Sequence, residues 1–140
     1  MSTSQQLLDD VIVGAQFEIH HCDGALRSLE LALEHVQKNK RKSWLRGIKM
    51  QFKRLADGHR LSKENFPKEG ILPRRTGQQT DKHFRAIKKV PVRGYVWKSE
   101  RFPNRYYVSH YVYKDYRKLK QKDTDLVANN WRLVELGEHR

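Results

Sequence analysis

Residues 93–98 read Arg-Gly-Tyr-Val-Trp-Lys, and residues 105–114 read Arg-Tyr-Tyr-Val-Ser-His-Tyr-Val-Tyr-Lys. Both runs are dense in β-branched and aromatic residues, and Phe102-Pro103-Asn104 between them is a turn. They predict two strands paired antiparallel. A third strand, His83-Phe84-Arg85-Ala86-Ile87-Lys88, precedes them across a turn at Val90-Pro91. Side chains alternate across a strand. Alternation puts Val92, Gly94 and Val96 on one side of the second strand, with Arg93, Tyr95 and Trp97 on the other. On the last strand it puts Tyr106, Val108, His110 and Val112 together, opposite Arg105, Tyr107, Ser109, Tyr111 and Tyr113.

Working outward, Gln16–His21 alternates and predicts a short strand. Leu26, Leu29, Leu33 and Val36 give a helix over residues 24–38, with Asp23 as its N-cap. The basic run 38–42 breaks that pattern. Ser43 then caps a second helix, whose stripe of Trp44, Leu45, Ile48, Phe52 and Leu55 ends at Asp57-Gly58. Residues 58–81 are rich in Gly, Pro, Lys and Thr and read as a long loop. A last helix begins near Asp123 or Thr124 and carries Leu126, Val127, Trp131 and Val134. The expected fold class is α+β. An N-terminal strand, a two-helix hairpin, three consecutive C-terminal strands and a C-terminal helix form one antiparallel sheet with its cover. Residues 1–15 are read as an extension, and residues 16–140 as a single domain.

Composition narrows the partners. The 140 residues hold 29 Lys and Arg against 16 Asp and Glu, a net charge of +13. A small domain stays soluble with a net charge of about 2–8, so the excess points to a polyanion. The charge is concentrated: residues 38–63 hold ten bases and one acid, and residues 82–122 hold thirteen bases and two acids. No apolar run spans a membrane, and the polar, acidic start is unlike a signal peptide, so a cytoplasmic protein is expected. Cys22 is alone. His20-His21-Cys22-Asp23 cannot converge on one ion, because neighbours on a strand point to opposite faces. Neither metal nor cofactor is expected.

All six tyrosines lie between positions 95 and 116. If the valine side packs on the helices, the opposite side is an open sheet of Arg and Tyr. Such a face stacks unpaired bases and holds phosphates.

The arrangement resembles the RelE/HigB superfamily of bacterial toxins over roughly residues 16–135. Arg54-Leu55-Ala56-Asp57-Gly58-His59-Arg60-Leu61 resembles the turn that closes that family's helix hairpin. Phe84–Lys88 resembles its strand with a central Arg, and Arg93–Trp97 its Arg-Val-x-Tyr strand. Tyr107–Lys114 resembles the strand that reads Leu-Leu-His-Gly-Phe-x-Lys-Lys, with Asp115 where a second Lys is common. The resemblance implies a ribosome-dependent endoribonuclease that cuts mRNA without a metal and is neutralised by a cognate antitoxin.

The chemistry suits these residues. The 2′-hydroxyl attacks the neighbouring phosphate; Arg85, Arg93 and Lys114 offset charge, and His110, Tyr113 or Tyr116 move protons. Lys88, Lys89, Tyr95, Trp97, Arg105, Tyr107, Tyr111, Arg117, Lys118 and Lys120 would contact RNA. Two other readings stand beside this one: a ParE-like inhibitor of DNA gyrase, and a non-catalytic nucleic-acid-binding accessory protein. The Arg54-x4-His59 pattern of all-helical RNases fits poorly with a strand-rich second half. The faint Gly94-Tyr95-Val96 likeness to GIY-YIG nucleases lacks its following helix.

Overall fold

A computed structural model describes residues 7–113 and 119–138. In chain order they form β1 (Val11–Val13), β2 (Glu18–His21), α1 (Ala25–Leu33), α2 (Lys38–Ala56), β3 (Lys68–Ile71), β4 (His83–Lys89), β5 (Val92–Lys98), β6 (Arg105–Tyr113) and α3 (Gln121–Glu135). The six strands make one sheet in the order β1-β2-β6-β5-β4-β3. Every neighbouring pair is antiparallel except β2 and β6, which run parallel with Ile19 beside Tyr106. The class is α+β, as the pattern of elements predicts.

Several boundaries differ from the sequence expectation. The basic run 38–42 is the first turn of α2, because Lys and Arg are good helix formers; the break falls at residues 34–37. Gly24 in the left-handed region (φ 84°) starts α1, with no side-chain cap from Asp23. The segment read as a long loop contains β3, which extends the sheet beyond β4. Part of the supposed N-terminal extension belongs to the domain. Leu8 is buried in the core, and Val11–Val13 pairs with β2.

The larger difference is the cover. Both faces of the sheet are buried. Under the α1–α2 hairpin, Ile19, Ile87, Val92, Val96 and Val108 meet Leu29, Leu33, Ile48 and Phe52. On the opposite face, Phe84, Ala86, Tyr95, Trp97 and Tyr107 meet Val127 and Trp131 of α3. The expected open face is closed because α3 brings an apolar stripe of its own, and aromatic surface left in water would forgo the burial energy of about 25 cal/mol per Å².

A bulge in β6 redistributes the tyrosines. Tyr95 pairs with His110 and Val96 with Val108, so Ser109 is an extra residue on β6. One extra residue reverses the alternation beyond it. Tyr107, His110 and Val112 therefore lie on the α3 face, while Tyr106, Val108, Tyr111 and Tyr113 lie on the hairpin face. Gly94 leaves room for this: a Cβ there would come within 2.7 Å of the Tyr111 ring.

Candidate functional site

The predicted RNA face is not an open surface. Tyr95 and Trp97 are fully buried, and the Trp97 ring stacks on Tyr107 at 5.6 Å. Tyr111 is buried under the hairpin, where its hydroxyl donates to His21 Nε2 at 2.7 Å; Tyr113 stacks on His35. Burial pushes the Tyr111 phenol well above its usual pKa. Arg93 donates to Glu69 of β3 at 2.6 Å, both side chains 12% exposed, so its charge is already matched. Lys88 sits beside Arg93 across the strand pair and is half-buried. Lys89 lies on the hairpin side, its carbonyl accepting from Trp44 Nε1. Arg105 lies over Phe102, 3.4 Å from Glu18, and donates to the Tyr107 hydroxyl. Lys120 is the exposed residue at the start of α3. Lys114, Tyr116, Arg117 and Lys118 lie outside the described residues.

His110 faces α3, not the valine side. Its surroundings fix its tautomer. Asp123 Oδ1, 3.0 Å away, only accepts, so Nε2 carries the hydrogen; Nδ1 then accepts from Ser109 Oγ at 2.8 Å. Asn130 Nδ2 donates in turn to Ser109 Oγ at 2.9 Å. The order Ser-His-Asp is that of a hydrolase triad, but Ser109, His110 and Asp123 are all buried. Burial outweighs the Asp123 carboxylate and lowers the His110 pKa, which keeps the ring neutral at pH 7. The chain of hydrogen bonds ties α3 to the β6 bulge. Glu135 ties the other end of α3: its carboxylate accepts from Trp97 Nε1, Ser99 Oγ, the Glu100 and Arg101 amides and Arg75.

One predicted residue stands elsewhere. Arg85 of β4 faces the hairpin, opposite to Arg93, and lines a cleft of about 380 Å³ at the C-terminal end of α2. Gln16 and Phe17, the buried Leu55 and Phe66, and Tyr106 of β6 contribute to its lining. His59, Arg60 and Lys63 come from the loop after α2. Among the described residues, four basic side chains and no carboxylate line this cleft.

The local sequence explains its shape. Gly58 has φ 91°, open to glycine at little cost, and this turn carries the chain out of α2 toward His59. The Gln16 side chain packs where a Cβ on Gly58 would stand, 2.5 Å from its Cδ. Arg85 Nη1 donates to the Phe66 carbonyl at 2.9 Å, and the guanidinium lies 5.4 Å from the Phe66 ring centre. Among the described residues, its remaining N–H donors have no hydrogen-bond partner. Burial raises the Tyr106 pKa against the opposing pull of Arg85, so the phenol stays protonated near neutrality.

Sequence reading found Arg85 but not its companions. Gln16, His59, Arg60, Lys63 and Tyr106 come from three distant segments. The usable signal was Gly58, which marks where α2 must release the chain into a basic loop.

No family model matches the chain, and no curated protein and no solved structure matches it. Among the described residues, no group of three or more His, Cys, Asp and Glu could hold a metal ion, and no helix is long and apolar enough to cross a membrane.

Proposed function

We propose that the protein is a cytoplasmic endoribonuclease toxin that cuts mRNA on the ribosome without a metal, and that the Arg85–Tyr106 cleft is where it does so. A cognate antitoxin would restrain it. The observation that carries the reading is the cleft itself: Arg85, His59, Arg60 and Lys63 converge beside a protonated phenol, with no carboxylate among them. Such a lining attracts a phosphodiester and repels nothing in it.

The reaction needs little apparatus. His59 takes the proton of the 2′-hydroxyl, whose oxygen then forms a bond to phosphorus. The bond from phosphorus to the 5′-oxygen breaks, leaving a 2′,3′-cyclic phosphate, and the departing 5′-oxygen takes a proton from solvent water to become the 5′-hydroxyl, while His59 returns its proton to solvent. Arg85 offsets the negative charge that grows on the phosphoryl oxygens, and Tyr106 donates a hydrogen bond to one of them. His110, buried against Asp123, has no part in this scheme.

One observation favours a second reading. Among the described residues, His59 is the single imidazole lining the cleft, which fits a protein that binds RNA without cutting it. The test separates these readings. Purified protein is mixed with mRNA in the presence and absence of translating ribosomes. The expected result is shortened mRNA with ribosomes only, reduced about 10²–10³-fold by Arg85→Ala at unchanged circular dichroism. Salt-sensitive binding with intact mRNA would establish the binding-only protein. Altered DNA supercoiling with intact mRNA would establish a gyrase inhibitor.

A further inference from the structure

We infer that the cleft admits one unpaired nucleotide, with its base against Phe17 and Tyr106, its polar edge at the Gln16 amide and its phosphate on Arg85. This rests on the RNA reading above and adds to it a residue-level basis for choosing among nucleotides.

The cleft lining is of two kinds: cationic, from Arg85, Arg60, Lys63 and His59, and aromatic, from Phe17, Phe66 and Tyr106. Phe17 and Tyr106 meet edge to face, ring centres 5.2 Å apart at 70°, and Phe66 meets Tyr106 in the same manner at 6.4 Å. Phe66 is buried, whereas Phe17 and Tyr106 remain half-open to the cleft. A site for phosphate alone has no use for exposed rings. Bases of every kind have a π-face that rings can hold.

The polar groups complete the picture. Among the described residues, neither the Gln16 side-chain amide nor the Tyr106 hydroxyl has a hydrogen-bond partner, while the Gln16 backbone N–H donates to the Ala56 carbonyl. A side-chain amide offers both donors and an acceptor, the complement of a base edge. Lys98 of β5 lies 5.1 Å from the Phe17 ring centre and adds a cation there. The volume, about 380 Å³, falls in the range of small-ligand sites. In a duplex, the base edge is occupied by its complement and both faces are stacked, so only an unpaired nucleotide can present them.

The experiment is a calorimetric titration with three ligands. They are an RNA trinucleotide, an abasic ribose-phosphate chain of equal length, and a duplex of the same sequence, all 2′-O-methylated so that none is cut. Wild-type protein should bind the trinucleotide about ten-fold more tightly than the abasic chain, and prefer it to the duplex. Phe17→Leu should remove that preference while leaving abasic binding unchanged, and Phe17→Trp, which keeps a ring, should retain it. Gln16→Ala should alter the ranking of trinucleotides that differ in base. Equal wild-type affinity for the trinucleotide and the abasic chain overturns the inference, as does equal weakening of both by Phe17→Leu. Failure of the parent reading looks different: Arg85→Ala would then weaken neither ligand.

Discussion

Single side chains divide the charged residues into those already matched and those still available. Arg93 and Arg85 are eight positions apart on adjacent strands, yet they face opposite sides of the sheet. Arg93 is held by Glu69 with both groups largely withdrawn from water, so Arg93→Ala should leave mRNA cleavage intact while destabilising the fold. Removing one partner of a shielded pair costs about 1–3 kcal/mol, readable in urea denaturation; abolished cleavage at full stability would return Arg93 to the site. Glu135 makes a sharper case. Five donors converge on its buried carboxylate, and those bonds outweigh burial to hold its pKa below the usual carboxylate range. Glu135→Ala strands all five, so a loss of about 3–5 kcal/mol is expected. Gly58→Ala places a methyl on Gln16 at a left-handed φ, costs roughly 1–2 kcal/mol, and should disturb RNA binding as well as stability.

The elements show what sequence could and could not convey. β5 is legible because its alternation is unbroken: Val92, Gly94 and Val96 do face away from Arg93, Tyr95 and Trp97. β6 is illegible beyond Val108, because a one-residue bulge leaves no mark in composition yet inverts the destination of Tyr111 and Tyr113. α3 is legible as a helix from Val127 and Trp131, but not its docking. Tyr, Trp and Arg on a strand read equally as a stacking platform and as the aromatic half of a core, and the presence of a covering helix decides between them. Ser109, His110, Asp123 and Asn130 fasten that cover. Asp123→Ala leaves the buried His110 N–H without an acceptor and should lower stability by about 1–3 kcal/mol. Hydrogen exchange should quicken first in α3; equal quickening in α2 would argue against a local fastening.

For the molecule as a whole, acidity is the natural probe. Burial holds His21 and His110 below the usual imidazole value of 6.5. Unfolded, both rings take protons near pH ~6.5; folded, they resist. Below that pH the unfolded chain carries more protons, so stability falls as pH falls. Glu135, with its pKa lowered from 4.5, contributes fully above that value and loses its contribution on further acidification. Thermal midpoints should therefore be level above about pH 7, drop beneath 6.5 and drop again below about 4.5. A midpoint that rises between pH 7 and 5 would contradict the assignment of neutral, buried rings.

The parallel pairing of β2 with β6 has a consequence for how the chain is made. On the side away from β1, Glu18–His21 finds its neighbour in Arg105–Val108, after more than eighty intervening residues. During synthesis the amino-terminal strands must wait, unpaired on that side, until Arg105–Val108 has emerged. Contacts so distant in sequence form late and slowly, so the hairpin of α1 and α2 stands complete in covalent terms well before there is a finished sheet for it to close upon. Arg85 follows α2 by nearly thirty residues, and Tyr106, on β6, arrives with the last strand. The basic cleft therefore comes into being only once β6 has joined the sheet, and no nascent fragment that stops before Tyr106 possesses its full lining.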